Sequence, residues 1–152
     1  MFWQDVLLGC RVSDAALRNA LAAVLGIPTP SVRIVDTVSD SPNWDDGETR
    51  LVVERAPLSG EFPLHVSLYV NEPLVEERLQ QPSTNLERLA RLCELLGCAA
   101  LVSDDALDPA SWLRVVPSGL VEPVMLDPER LDRDEYVVAS AAPASLPRGS
   151  AV

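Results

Sequence analysis

Most of the β-rich runs in this chain are joined by links too short to hold a helix. Thr49 to Ala56 and Phe62 to Val70 are separated by five residues that include Ser59-Gly60, and Leu113 to Val116 and Leu120 to Leu126 by Pro117-Ser118-Gly119. Strands joined so tightly run antiparallel, because a parallel return needs a crossover of about a dozen residues or more. Asp5 to Arg11 and Ser31 to Val38 read as further strands, the latter opening a three-stranded meander with the Asp46-Gly47 turn signal in its first link. Cys98 to Ser103 reads as a short buried strand, and Glu135 to Ala139 as a last one.

Helices punctuate this pattern. Ser13 is placed as an N-cap, and Leu17, Ala20, Leu21, Val24 and Leu25 fall on one face at helical spacing. Gly26 then stops the helix, and Pro28 and Pro30 prevent its continuation. Thr84 and Glu87 make a capping-box pattern ahead of the stripe Leu86, Leu89, Ala90, Cys93 and Leu96, which Gly97 ends. Pro73 to Leu79 reads as a short preceding helix, and Asp108-Pro109 and Asp127-Pro128 as helix starts. The order is β-α-β-β-β, two helices, then three or four short strands. The expected fold class is α+β: a single domain over residues 1–139, with a mixed, mostly antiparallel sheet and helices packed on one face. Residues 140–152, rich in Ala, Ser and Pro, read as a flexible C-terminal tail.

Charge narrows the function classes. The chain has 152 residues, with 12 basic and 23 acidic side chains and a net charge of -11, and all its basic residues are Arg. Direct nucleic-acid binding is not expected, since phosphate recognition needs a basic surface. No run approaches the length of an apolar membrane span. Met1-Phe2-Trp3-Gln4-Asp5 does not read as a signal peptide, so the expected location is cytoplasmic. An odd set of three cysteines, Cys10, Cys93 and Cys98, then reads as reduced thiols, with Cys93 packed on the apolar stripe of its helix. Cys93 and Cys98 do not have zinc-site spacing, and the lone His65 sits in the strand Leu64-His65-Val66-Ser67-Leu68-Tyr69-Val70 as a structural or solvated residue.

The acids are clustered. Asp36, Asp40, Asp45, Asp46 and Glu48 form one group around Trp44, Asp104, Asp105 and Asp108 a second ahead of Trp112, and Asp127 to Glu135 a third with Arg130 and Arg133 interleaved. Asn43 to Glu48 superficially has the look of a calcium loop. With Gly47 at its sixth position, however, Pro42 and Trp44 fill the first and third and supply no carboxylate, so no metal and no cofactor is expected. The chain has no GxSxG, GxGxxG or phosphate-binding loop, and no catalytic residue is assigned. Protein recognition is the remaining use of such clusters. An acidic surface draws in a basic partner, and a tryptophan beside it supplies an anchor that is desolvated on binding. The candidate partner-binding residues are Asp40, Trp44, Asp45, Asp46, Glu48, Asp104, Asp105, Asp108 and Trp112.

The stretch Leu101-Val102-Ser103-Asp104-Asp105, continuing through Pro117-Ser118-Gly119-Leu120-Val121-Glu122-Pro123-Val124-Met125-Leu126-Asp127, resembles the C-terminal half of small acidic immunity proteins from bacterial polymorphic toxin and contact-dependent competition systems. That resemblance implies a non-enzymatic inhibitor that occludes a toxin, with carboxylates meeting the toxin's cationic residues. Two other readings stay open. One is a secretion chaperone or adaptor, which would dimerise and bind an extended effector segment. The other is a hydrolase that uses carboxylates from two clusters, such as Asp104 or Asp105, for acid-base work.

Overall fold

A computed structural model describes residues 5–36, 49–70, 82–104 and 107–141. In chain order these form β1 (Asp5–Leu8), α1 (Asp14–Leu25), a 3-10 turn (Thr29–Ser31), β2 (Val32–Val35), β3 (Leu51–Pro57), β4 (Ser59–Gly60) and β5 (Leu64–Val70). There follow α2 (Pro82–Leu96), β6 (Ala100–Ser103), β7 (Ser111–Val115), β8 (Val121–Leu126), α3 (Pro128–Leu131), β9 (Glu135–Tyr136) and β10 (Val138–Ala141). Eight strands make one sheet in the order β10-β8-β7-β6-β1-β5-β3-β2, and β4 pairs separately with β9. The fold is α+β with a mostly antiparallel sheet, as the short links imply.

The sheet divides where the sequence divides. The four strands β2, β3, β5 and β1 come from the first 70 residues, and β6, β7, β8 and β10 from residue 100 onward. Among the described residues these two sets of strands pair only where β1 meets β6, through Leu7 opposite Leu101 and Leu8 opposite Ala100. One further backbone bond, Gly9 N–H to Ala99 O at 2.8 Å, extends this seam.

Side-chain alternation gives the sheet two dissimilar faces. Val6, Leu8, Leu51, Val53, Leu64, Val66, Leu68, Ala100, Val102 and Val115 point to one side, where Leu17, Leu21 and Leu25 of α1 and Leu89, Leu92 and Cys93 of α2 cover them. Burying each such leucine stabilises the fold by about 2 kcal/mol, so the amphipathic stripes dock both long helices on this face. α1 is bounded as its local signals require: the Ser13 side chain accepts from Ala16 N–H, and Gly26 takes a left-handed φ of 68°. The opposite face holds a smaller cluster, Leu7, Phe62, Leu101, Ala110, Val124 and Leu126, with Leu131 of the short α3 and Tyr136 of β9 packed against it.

Several local expectations are corrected. β1 ends at Leu8 rather than Arg11, because its pairing to β5 stops where Leu8 meets Leu64. β2 runs parallel to β3, so residues 31–70 are not a meander; the fifteen residues from 36 to 50 are long enough to bring the chain back in the same direction. α2 begins at Pro82, two residues before the capping-box Thr84, as a first-turn proline permits. Asp108-Pro109 makes a turn into β7 instead of a helix, with the Asp108 carboxylate accepting from Ala110 N–H at 2.9 Å. Glu135 to Ala139 is two strands in different sheets, and β10 carries pairing on to Ala141, beyond the boundary at 139. The helix expected over Pro73 to Leu79 lies outside the described residues, as do residues 142–152.

The thiol expectation is corrected as well. Cys10 and Cys98 form a disulfide, with Cα atoms 6.0 Å apart, leaving Cys93 free and buried. The two ends of the large sheet are engaged by side chains. The Arg18 Nε–H donates to Val32 O of β2 at 3.2 Å, and Glu61 Oε1 accepts from Val138 N–H of β10 at 2.8 Å.

Candidate functional site

Of the nine sequence-designated residues, Asp104, Asp108 and Trp112 lie within the described part of the chain; Asp40, Trp44, Asp45, Asp46, Glu48 and Asp105 lie outside it. The three described residues sit together at the β6–β7 connection. Asp104 accepts a hydrogen bond from the Ser111 hydroxyl, and Asp108 shapes the turn before β7. Both carboxylates therefore have fixed positions set by strand ends and turns, which lowers the ordering cost of any contact they make.

Trp112 is half-buried on the face opposite the long helices. Its indole Nε1–H donates to Pro109 O at 2.8 Å, which fixes the ring against the turn carrying Asp108. The ring then meets Tyr136 edge-on, with centroids 5.9 Å apart and planes at 81°. Tyr136 follows the acidic turn Asp132-Arg133-Asp134-Glu135. Burial, and then the charge of Asp134, push the Tyr136 hydroxyl above its ordinary pKa.

The aromatic pair thus joins the second and third acidic clusters, which are separate in sequence. Asp127 builds the rest of this rim: its carboxylate caps α3 by accepting from Glu129 N–H at 3.0 Å and Arg130 N–H at 3.4 Å. Glu135 draws Arg130 and Arg133 to itself at 3.8 and 4.0 Å, so these cations are turned toward an acid of their own segment. Asp134 holds a left-handed φ of 59°, a conformation that aspartate tolerates better than most residues. The strap β4–β9 backs the site, since Gly60 packs on the Tyr136 backbone and Glu61 N–H donates to Tyr136 O at 3.0 Å.

A second polar group lies on the same face of the sheet, and sequence reasoning passed over it. His65, Ser67 and Tyr69 alternate along β5 with period two, so they share that face with Asp5 and Glu54 of the neighbouring strands. Ser67 Oγ–H donates to Asp5 Oδ1 at 2.8 Å, His65 Nε2 lies 3.1 Å from the same oxygen, and Tyr69 O–H donates to Glu54 Oε1 at 3.2 Å. The residue types are those of a hydrolytic triad, but the connections differ. His65 uses one nitrogen toward both Asp5 and Ser67, which stand 3.1 and 3.4 Å away, whereas a relay needs the acid and the hydroxyl on opposite nitrogens. The group ties β1 to β5 and places Asp5 and Tyr69 at the surface. Its signal was the period-two spacing of polar residues inside an apolar strand.

Among the described residues no three His, Cys, Asp or Glu side chains are arranged to hold a metal ion. Among them, too, no helix is long and apolar enough to cross a membrane. Comparison with family models, curated proteins and solved structures found no match.

Proposed function

We propose that this protein is an acidic binding protein that neutralises a basic protein partner by occlusion, an immunity-type inhibitor acting in the cytoplasm. The observation that carries this reading is the Trp112–Tyr136 contact, which joins the turn that carries Asp108 to the segment Asp132–Glu135 at one half-buried aromatic centre. Anchoring aromatics with acids at their rim suit a partner that presents arginine or lysine beside an apolar pocket. The net charge of -11 supports it further, since long-range attraction speeds encounter with a basic surface. The segment carrying Asp40, Trp44, Asp45, Asp46 and Glu48 has the same composition and is proposed as a second contact.

The test is capture of the partner from the native host with the tagged full chain, followed by binding kinetics with the purified pair. A single basic protein in near-equal amount is expected, associating more slowly as salt rises. Asp45→Arg/Asp46→Arg and Trp112→Ala are each expected to weaken binding about tenfold or more. Unchanged affinity in all of them would remove both surfaces from the interface. Recovery of a stable homodimer alone would point instead to a secretion chaperone.

A further inference from the structure

Continuing the β1–β6 register past Gly9 and Ala99 sets Cys10 directly opposite Cys98, so the disulfide is a cross-strand link at the end of the seam between the two halves of the sheet. Among the described residues the β1–β6 seam itself has two register pairs and one further backbone bond, and the β4–β9 strap with Glu61 crosses between the halves elsewhere. The disulfide borders an open groove of about 430 Å³, lined by Phe62, Glu61, Arg114 and Gly97 beside the two cysteines. Cys98 is 9% exposed, and Cys10 presents more surface. The third thiol, Cys93, is fully buried on α2 and takes no part.

We infer that Cys10–Cys98 is a thiol-exchange site, a reducible staple that low-molecular-weight thiols open from the groove to loosen the joint between the halves of the sheet. The exchange balances as follows. An external thiolate attacks Cys10 Sγ, forming a mixed disulfide there while the bond to Cys98 breaks and Cys98 leaves as a thiolate that takes up a proton. A second external thiol then attacks the outer sulfur of the mixed disulfide. Cys10 is released as a thiol, and the two external thiols leave as their own disulfide. Attack falls on Cys10 because it is the more exposed residue of the pair. An oxidising compartment keeps the staple closed, and the thiol-rich cytoplasm proposed above opens it.

The experiment uses the full chain in reduced and oxidised glutathione mixtures. Mass spectrometry after unfolding and alkylation is expected to show one reactive thiol in the oxidised protein and three in the reduced one. Reduction of the folded protein is expected at glutathione on the order of 10 mM. It should speed amide exchange in residues 5–10 and 98–102 about tenfold, leave Leu51–Pro57 unchanged, and lower the Tm by roughly 10 °C. With one cysteine removed, Cys98→Ala is expected to form a mixed disulfide at Cys10 about tenfold faster than Cys10→Ala forms one at Cys98. The Cys10→Ser/Cys98→Ser variant should lose all response to glutathione. Three free thiols after oxidising purification would overturn the inference. So would a bond that glutathione reduces only in denaturant, or a reduced protein with unchanged exchange at the seam. If the double variant does not fold, the glutathione titration of the wild-type chain decides alone.

Discussion

Trp112 and Tyr136 stand edge to face across the junction of two acidic segments, so a change in either ring reaches both segments. Trp112→Ala should cost about 2–3 kcal/mol of stability, since it removes a half-buried ring and its hydrogen bond to Pro109 O. Trp112→Phe should recover about half of that. Glu129 and Asp132 are exposed on the same rim, and Glu129→Arg/Asp132→Arg should slow association with a basic partner about tenfold with little change in Tm. Stopped-flow association rates and thermal melts separate the two effects.

Asp127 holds the first turn of α3, whose Leu131, like Tyr136, packs against the smaller cluster. Asp127→Ala frees two backbone donors and should destabilise the fold by about 1 kcal/mol, whereas Asp127→Ser or Asp127→Asn should restore most of it. Chemical denaturation reads the difference directly.

Gly60 has a φ of +99°, and a Cβ added there would lie 2.9 Å from Tyr136 N and 3.0 Å from Tyr136 O. Both the backbone conformation and the space forbid a side chain. Gly60→Ala should therefore cost about 2 kcal/mol or more and release the β4–β9 strap. Amide exchange at Glu61, which donates to Tyr136 O, should rise in the same variant.

Cys93 is enclosed by α2 and the sheet, and burial pushes its thiol up from 9.0 to about 12. Between those values the unfolded chain has released this proton while the folded protein still holds it. Stability is thus fully present below pH 9 and falls as pH rises toward 12, by at most about 1.4 kcal/mol per pH unit from this group. Tyr69 and Tyr136, both raised by burial first, add to the loss above pH 10. Denaturation curves across this range should flatten between pH 9 and 10 in Cys93→Ala, and native Cys93 should resist alkylation at pH 8.

Elements whose signals are local could be read from the sequence. Ser13 and Gly26 both act within one turn of α1, and the Pro117-Ser118-Gly119 link both joins and orients β7 and β8. Elements decided by distant pairing could not. The direction of β2 depends on where β3 finds space beside it, and Cys10 meets Cys98 across 88 residues only because β1 lands against β6. Glu135 to Ala139 looked like one strand, but the Val137 carbonyl is committed to Asp127 N–H, and the chain changes sheets there. The site follows the same rule. Trp112 stood out beside its own acids, whereas Tyr136 joins it from 24 positions away, through the β4–β9 strap and the packing of β8 against β7.

A sheet whose end strands offer bare backbone invites further strands from other molecules. At one end of this sheet the Arg18 guanidinium binds the carbonyl of Val32 on the end strand, and at the other the Glu61 carboxylate binds the N–H of Val138 on the opposite end strand. An incoming strand must first expel a charged group from each position, and the two plugs carry opposite signs. Growth of the sheet into ordered fibrils is therefore opposed at both of its ends, and Arg18→Ala or Glu61→Ala removes a safeguard whose loss would register as polymerisation on storage rather than as a lower melting point.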